Sequence, residues 1–264
     1  MDRKLVTFNL RVDLPQDGEN SWVNRVDKVA RIIRKHQPMV FGAQEALLLM
    51  INNLEGALFH YRWIGEGRRG GMSDEFCPIF YDNRQLEVVD SGQFWLSEQP
   101  DVPDSVSWKS DFPRICTWGR FRFIEEPHKD FLVFNTHLDH VSQQARENGI
   151  ALIWKRLHNQ YIEKKTPIVL MGDLNSKPDN QVIQFLQGQV SLKGNTCQFQ
   201  NAYDWLGGNP GRTFHQFEGG TEGEPIDYIF CTKKIKGIKT EIDRTSYDGR
   251  FPSDHYPVIT SLSF

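Results

Sequence analysis

The sequence has little that would staple, anchor or spread charge. Its four cysteines, Cys77, Cys116, Cys197 and Cys231, are far apart and form no Cys-x-x-Cys pair. That argues against a disulfide framework and against a cysteine-ligated structural zinc. No run of about eighteen apolar residues occurs, so no membrane-spanning helix is expected. Residues Met1 to Asn9 hold no apolar stretch of signal-peptide length and lead straight into a strand pattern. Scattered thiols suit a reducing compartment, and these absences together predict a cytoplasmic protein. Positive charge is not in surplus: 31 Lys and Arg face 34 Asp and Glu, for a formal net charge of -3. Chains that hold bulk duplex nucleic acid carry a basic face, so any such contact here must be local. The loop Gly67-Arg68-Arg69-Gly70-Gly71 is one candidate, with a plain solvated turn as the equal alternative. No repeat, low-complexity tract or linker divides the chain.

What is present fits one α/β domain over residues 1–264. Apolar runs and alternations predict strands over 4–10, 39–43, 61–65, 77–81, 86–95, 116–125, 131–136, 167–171, 228–232, 235–242 and 258–262. Ser21 is placed to cap a helix whose apolar face is Trp22, Val26, Val29, Ala30 and Ile33, ended by Pro38. A second helix follows Glu45 through Leu47, Leu48, Ile51 and Leu54. A long amphipathic helix is expected over 142–163, with Ile150, Ile153, Trp154, Leu157 and Tyr161 on one face. A short helix is expected over 179–187. The Pro-, Asp- and Ser-rich stretch 99–113 reads as a loop. Mixed sheets packed on each other and flanked by helices would use this pattern.

Polar residues recur at the ends of the strand runs. Asn9 closes the first and Glu45 follows the second. His137 closes 131–136, Asp173 and Asn175 follow 167–171, and Asp254 and His255 precede the last. Each alone has a bland reading as a turn former, helix cap or surface pair. Together they are acidic, amide and imidazole groups delivered to one rim of a sheet scaffold, as a catalytic cleft requires.

The ordered set Thr7-Phe8-Asn9, Gln44-Glu45, Asn135-Thr136-His137-Leu138, Gly172-Asp173-Leu174-Asn175, Ile226-Asp227-Tyr228-Ile229-Phe230 and Ser253-Asp254-His255-Tyr256-Pro257-Val258 resembles the endonuclease/exonuclease/phosphatase superfamily. The resemblance spans residues 7–258. It implies a four-layer α/β sandwich of two packed mixed β-sheets flanked by helices. Gly-Asp-Leu-Asn-Ser-Lys-Pro with Ile-Asp-Tyr-Ile-Phe is most similar to the carbon catabolite repression deadenylase branch, which removes nucleotides from RNA 3′ ends. The inositol 5-phosphatase branch is disfavoured, because Cys-Asp-Arg is not found where this chain has Ile226-Asp227-Tyr228-Ile229-Phe230. No leucine-rich repeat region accompanies the motifs, so a large deadenylase assembly is not expected.

The resemblance implies a Mg2+-dependent phosphoesterase, with Mn2+ able to substitute. A hard cation offsets the charge of the phosphoryl group and keeps oxygen ligands. Glu45 is then the main metal ligand, helped by Asn9 and Asp254. Asp173 is the base or orienter of the attacking water, and Asn175 bonds the nucleophile or the phosphate. His255 contacts a phosphoryl oxygen and is charged by Asp227. His137 sits on the phosphate or leaving side, and a Glu75–His137 pair is expected to mirror Asp227–His255. Arg114 and His215 are candidate substrate-binding residues, with Asp139, His140 and Arg146 as weaker ones; a His137/His140 zinc pair is disfavoured for want of a third ligand. The expected activity is phosphodiester hydrolysis, most simply by a 3′–5′ exonuclease on RNA or single-stranded nucleic acid. The alternatives are a small-molecule or lipid phosphatase or phosphodiesterase of the same fold, and a non-catalytic binding module. The expected partner is a phosphate-ester substrate, with no obligate protein partner.

Overall fold

A computed structural model describes residues 3–158 and 166–264. The strand-forming runs pair into two six-stranded mixed sheets. The first contains β1 (Arg3–Asn9), β2 (Val40–Gln44), β3 (Tyr61–Ile64), β4 (Ile79–Asp82), β11 (Lys236–Ile242) and β12 (Val258–Ser263), in the order β11-β12-β1-β2-β4-β3. The second contains β5 (Leu86–Trp95), β6 (Ile115–Phe123), β7 (Asp130–His137), β8 (Ile168–Asp173), β9 (Gln200–Asn201) and β10 (Asp227–Cys231), in the order β5-β6-β7-β8-β10-β9.

The central strands are continuously apolar because both of their faces are covered. Leu5, Val40, Ile79, Phe121, Val133, Val169, Met171, Ile229 and Val258 fill the space between the sheets. On the outside of the first sheet, α1 (Val26–His36) and α2 (Leu48–Ala57) bury Val29, Ile33, Ile51 and Leu54 against Val6, Phe8 and Phe41. On the outside of the second, α3 (Gln143–Leu157) and α4 (Gln181–Leu186) bury Ile150, Ile153, Trp154 and Phe185 against Leu132, Phe134 and Leu170. The result is the expected four-layer sandwich. No helix among the described residues is long and apolar enough to cross a membrane.

A polar seam interrupts the inner core just below the site. Gly42 leaves room for the Asn135 side chain, which a Cβ at that position would meet at 2.8 Å. The Asn135 amide donates to Ala43 O (2.7 Å) and Pro78 O (2.9 Å) and accepts from Gln44 Nε2 (2.7 Å). The Asn135 amide, bonded at both its nitrogen and its oxygen, favours one alignment of the two sheets, while Gln44 Oε1 beside it is buried without a partner.

Local structure departs from the sequence expectations at a few places. Ser142 caps α3, its hydroxyl accepting from Ala145 N at 3.1 Å. Ser21 does not cap a helix. A short 3-10 turn, Trp22–Asn24, comes first and α1 begins at Val26. The Trp22 N–H is bonded instead to Asp13 Oδ1 (2.8 Å), and the turn carries Arg25 inward. The Arg25 guanidinium, 1% exposed, donates to the carbonyls of Leu10, Arg11, Asn20 and Pro252. α4 is capped by Asn180, which accepts from Val182 N. The two-residue β9 was not expected. The far end of the helix anticipated to 163, with Tyr161, lies outside the described residues.

Topology places the site. β1 and β2 run parallel, as do β7 and β8, while β12 lies antiparallel on β1 and β10 antiparallel on β8. The C-terminal ends of the four parallel strands therefore share a rim with the N-terminal ends of β10 and β12. In register, Asn9 faces Gln44, His137 faces Asp173, and Asp173 faces Asp227. Beside Asp173 only glycine fits: Gly172 has φ +148°, and a Cβ would sit 1.9 Å from Thr136 O.

Candidate active site

The rim opens into a cleft of about 600 Å3 lined by Arg11, Glu45, Arg68, Glu75, Phe112, Arg114, His137, His140, Asp173, Asn175, Phe214, Asp254 and His255, among others. Asp173, 2% exposed, is its centre. Asp173 Oδ1 accepts the Asn175 N–H at 2.9 Å, and Oδ2 accepts from Asn9 Nδ2 at 3.0 Å. Oδ2 also lies 3.5 Å from His137 Nε2 and 3.8 Å from His255 Nε2. Burial and the neighbouring Asp227 carboxylate push the Asp173 pKa up, against the pull of His255 and of the Asn175 and Asn9 donors.

The two histidines are in opposite states. His255 Nδ1 is 2.9 Å from Asp227 Oδ2. Burial works against a charged ring, but the charge and hydrogen bond of Asp227, with Asp173 and Asp254 nearby, outweigh it and lift the His255 pKa to about 10. His137 is held neutral: burial first, then the charge of Arg114, pushes its pKa well below the usual value. Hydrogen bonding agrees. Asn175 Nδ2 donates to Leu138 O (3.0 Å), which fixes the amide orientation, and the same nitrogen faces His137 Nε2 at 3.0 Å. His137 Nε2 is thus an acceptor, with its proton on Nδ1.

Glu45 and Asn175 both sit at positive φ, 57° and 45°. The first is uncommon for glutamate. It turns the side chain back from α2 towards the rim, where Oε1 accepts from Asn9 Nδ2 (2.9 Å) and Oε2 from Val12 N (3.0 Å). The ligand atoms of Glu45, His137 and Asp173 lie within 4.8 Å of one another. Across the cleft, burial raises the Asp254 pKa; His255 and Arg11 lower it and Glu45 raises it. Crowded, partly desolvated carboxylate oxygens are the donor set of a hard divalent cation, and the residues present fit one.

The sequence pattern of the Endonuclease/Exonuclease/phosphatase family matches residues 6–255. The chain belongs to that family. Members of the endonuclease/exonuclease/phosphatase family are hydrolases of phosphate esters. A solved Bacteroides thetaiotaomicron mannosyl-6-phosphatase is 30% identical, with a TM-score of 0.88 over 99% of this chain and 100% of that one. Protein angel of Drosophila melanogaster is 28% identical over 181 residues, 64% of this chain and 48% of that protein. The CCR4-Not complex 3'-5'-exoribonuclease subunit Ccr4 of Debaryomyces hansenii is 24% identical over 280 residues, 81% of this chain and 33% of that protein. The chain spans about half and a third of the lengths of these two curated relatives. Both similarities agree with the branch read from the motifs.

Of the residues that the endonuclease/exonuclease/phosphatase resemblance marked, Asn9, Glu45, His137, Asp173, Asn175, Asp227, Asp254 and His255 converge. Asn9 presents its amide nitrogen to Glu45 and Asp173, while its oxygen accepts the Arg11 N–H at 2.9 Å. In this arrangement it orients Glu45 rather than offering an open oxygen. The Glu75–His137 pair does not form. Glu75 lines the cleft but is bonded to Arg68 Nη2 at 2.9 Å, and His137 is bonded to Asn175; a guanidinium in reach outcompetes a neutral imidazole for a carboxylate. Burial, partly offset by Arg68, raises the Glu75 pKa to about 7. His215 does not reach the cleft. It is buried, stacked 3.9 Å from the Tyr256 ring, with Nδ1 accepting the Gly219 N–H. Phe214, bridged to His255, faces the cleft instead, its ring 4.9 Å from His255. Neighbouring residues of an extended segment point to opposite sides.

Arg114 does line the cleft, 6% exposed, with Nη2 3.0 Å from His140 Nδ1 and Nε 3.5 Å from Asp139 Oδ1. In the Gly67–Gly71 loop, Arg68 turns into the cleft under Phe112, 4.5 Å from that ring. Arg69 is paired with Asp74 (2.8 Å) and Asp104 (2.9 Å), so the loop is not an open basic patch. The sequence reading missed Arg11, Phe112 and Phe214. All three are on irregular segments with no periodicity to mark them.

Proposed function

We propose that the chain hydrolyses phosphate esters by attack of water at phosphorus, in a cleft that works with a bound Mg2+ or Mn2+. The observation that carries this reading is the Asp173–His255 arrangement: a carboxylate fixed by two N–H donors beside an imidazolium charged by Asp227. Asp173 Oδ2 orients the attacking water and takes up its proton. The His255 Nε2–H donates to a phosphoryl oxygen and stabilises the charge that grows there. The Asn175 amide, anchored on Leu138 O, limits the nucleophile to one side. Glu45 and Asp254 would hold the cation, because the His137 lone pair is already used by Asn175. Such a cation supplies charge neutralisation at the phosphoryl group when bound.

For the substrate, a small phosphomonoester is favoured. The mannosyl-6-phosphatase similarity runs end to end, and Arg68 and Arg114 bring two positive charges to the cleft wall, which suits a dianionic phosphate. The second reading is the exonuclease expected from the motifs. The exposed rings of Phe112 and Phe214 on the cleft wall favour it, since aromatic faces stack bases. Four free, buried cysteines suit a reducing compartment, and a cytoplasmic location is part of this proposal.

The test is a turnover panel in Mg2+ or Mn2+ with mannose 6-phosphate, glucose 6-phosphate, oligoadenylate, single-stranded DNA and sphingomyelin. The expected result is turnover of a sugar phosphate that EDTA abolishes and added Mg2+ restores. Turnover of oligoadenylate alone moves the assignment to the second reading. Undiminished activity in EDTA removes the cation from the account.

A further inference from the structure

Asp139 lies two residues past His137, is 1% exposed, and does not line the cleft. Its carboxylate is nevertheless among the most heavily bonded in the described structure. Oδ1 accepts from Ser110 Oγ (3.0 Å) and Asp111 N (3.1 Å) and lies 3.5 Å from Arg114 Nε. Oδ2 accepts from Val141 N (3.0 Å) and Ser142 N (2.7 Å). Arg146 Nη1 donates to the Asp139 carbonyl at 2.9 Å. These donors come from two separate places. Ser110, Asp111 and Arg114 belong to the long connection between β5 and β6. Val141 and Ser142 form the entry to α3, and Ser142 Oγ also donates to Trp108 O of the same connection (2.7 Å).

The residues joined by this carboxylate are neighbours of the cleft wall. Phe112 and Arg114 are carried on the connection, and His140 follows Asp139 directly. Phe112 stacks on His140 (6.1 Å, 17°), and Arg114 Nη2 meets His140 Nδ1 at 3.0 Å. Within the loop, Ser105 Oγ meets Ser97 Oγ (2.6 Å), Glu98 N donates to Ser107 Oγ (3.0 Å) and Trp108 Nε1 donates to Glu98 Oε1 (3.2 Å), while the Asp139 carboxylate ties the loop to the entry of α3. Trp108 and Lys109 are at positive φ, and Val102 and Val106 are about half exposed. A proline- and serine-rich connection of this kind has turns but no strand or helix to place it against the cleft.

We propose that Asp139 is a positioning residue whose carboxylate clamps the 105–114 connection to the entry of α3, holding Arg114, Phe112 and His140 as the substrate-binding wall of the cleft. This rests on the reading that the cleft binds a phosphate ester. Asp139 itself touches no substrate, because both of its oxygens are consumed within the protein. Its effect is on binding: the wall sits beside the Asp173–His255 centre but is not part of it. Replacing one oxygen by NH2 in Asp139→Asn opposes two donors on one side, whichever way the amide settles.

The experiment compares wild type, Asp139→Asn, Arg114→Ala and the double variant on the sugar phosphate that is turned over. Asp139→Asn is expected to raise KM, and Ki for inorganic phosphate, about 10- to 100-fold, the cost of charge-assisted bonds lost. Its kcat should stay within about threefold. In the Arg114→Ala background the same change should add little, since both act through one wall. Limited proteolysis should cut the 99–113 connection faster in Asp139→Asn. Ser110→Ala, which removes the Asp139 tie together with the bond of the same hydroxyl to Phe112 O (2.7 Å), should move KM in the same direction by a few fold, and serves if Asp139→Asn does not fold. Unchanged KM in these variants, a fall in kcat at constant KM, or fully multiplicative effects of Asp139→Asn and Arg114→Ala would each overturn the proposal. If the wild type turns over no phosphate ester, the functional reading fails by itself. Proteolysis and calorimetric binding of inorganic phosphate then still decide the clamp.

Discussion

Asp173→Asn is expected to lower kcat by about three orders of magnitude while leaving the chain folded, the middle of the range for loss of a general base. The asparagine has the same shape, and its oxygen is claimed by the Asn175 N–H that now holds Asp173 Oδ1. Its NH2 then replaces Oδ2, facing Asn9 Nδ2 and His255 Nε2, both of them donors. The group that should take a proton from water is gone, and the amide repels the donors that fixed the carboxylate. KM should move far less than kcat, because the Arg68 and Arg114 wall is untouched. Steady-state kinetics with a thermal melt as the folding control measures this; a variant within tenfold of wild type in kcat would remove Asp173 from the reaction.

His255→Gln is expected to cost about 10²- to 10³-fold in kcat, the typical loss of one donor aimed at developing oxyanion charge. Glutamine keeps a hydrogen-bond donor for Asp227, whose second oxygen, Oδ1, is buried without a partner. An alanine there would leave the whole carboxylate unpaired and confuse stability with chemistry. The pH dependence separates the two residues further. His255 has a folded pKa of about 10, above the ordinary histidine value. The stabilisation from its pairing is therefore complete below about pH 6.5 and is lost as pH rises through about 10. The rate should show no alkaline decline near pH 7 that belongs to His255. Asp227→Asn removes the leading cause of the raised pKa. The His255 proton is then lost at lower pH, so activity at pH 8 should fall much more than activity at pH 6. A wild-type rate that falls as pH rises through about 6.5 would mean that His255 loses its proton there and is not held charged by Asp227.

The fold was legible because its central strands are buried on both faces, so their apolar runs stand out without alternation. Ser142, the first residue of the expected helix 142–163, turns out to be its cap, while Ser21, the expected cap of the first helix, is not one, because a buried arginine and Asp13 decide that turn from a distance. Position in the site followed the same division. Asn9, Glu45, His137, Asp173, Asp227 and His255 sit at or just beyond strand ends, and the order of parallel strands brings them to one rim. Groups delivered by loops were not legible. Glu75 takes a partner other than the expected His137 because Arg68, seven positions away on a glycine-rich loop, reaches it first. By residue type His215 stands out over Phe214, because histidine carries chemistry and phenylalanine does not. The antiparallel bridge of Phe214 to His255 sets the facing, and no residue type announces it.

The central claim is that water attacks phosphorus in this cleft, and its most direct measurement is where the water oxygen goes. The sugar phosphate or oligonucleotide turned over in the panel is hydrolysed to completion in water enriched in heavy oxygen. The products are then weighed by mass spectrometry. The account predicts one heavy oxygen in the phosphate-bearing product and none in the alcohol released. Heavy oxygen in the alcohol, which would mean cleavage on the carbon side of the ester, would contradict it.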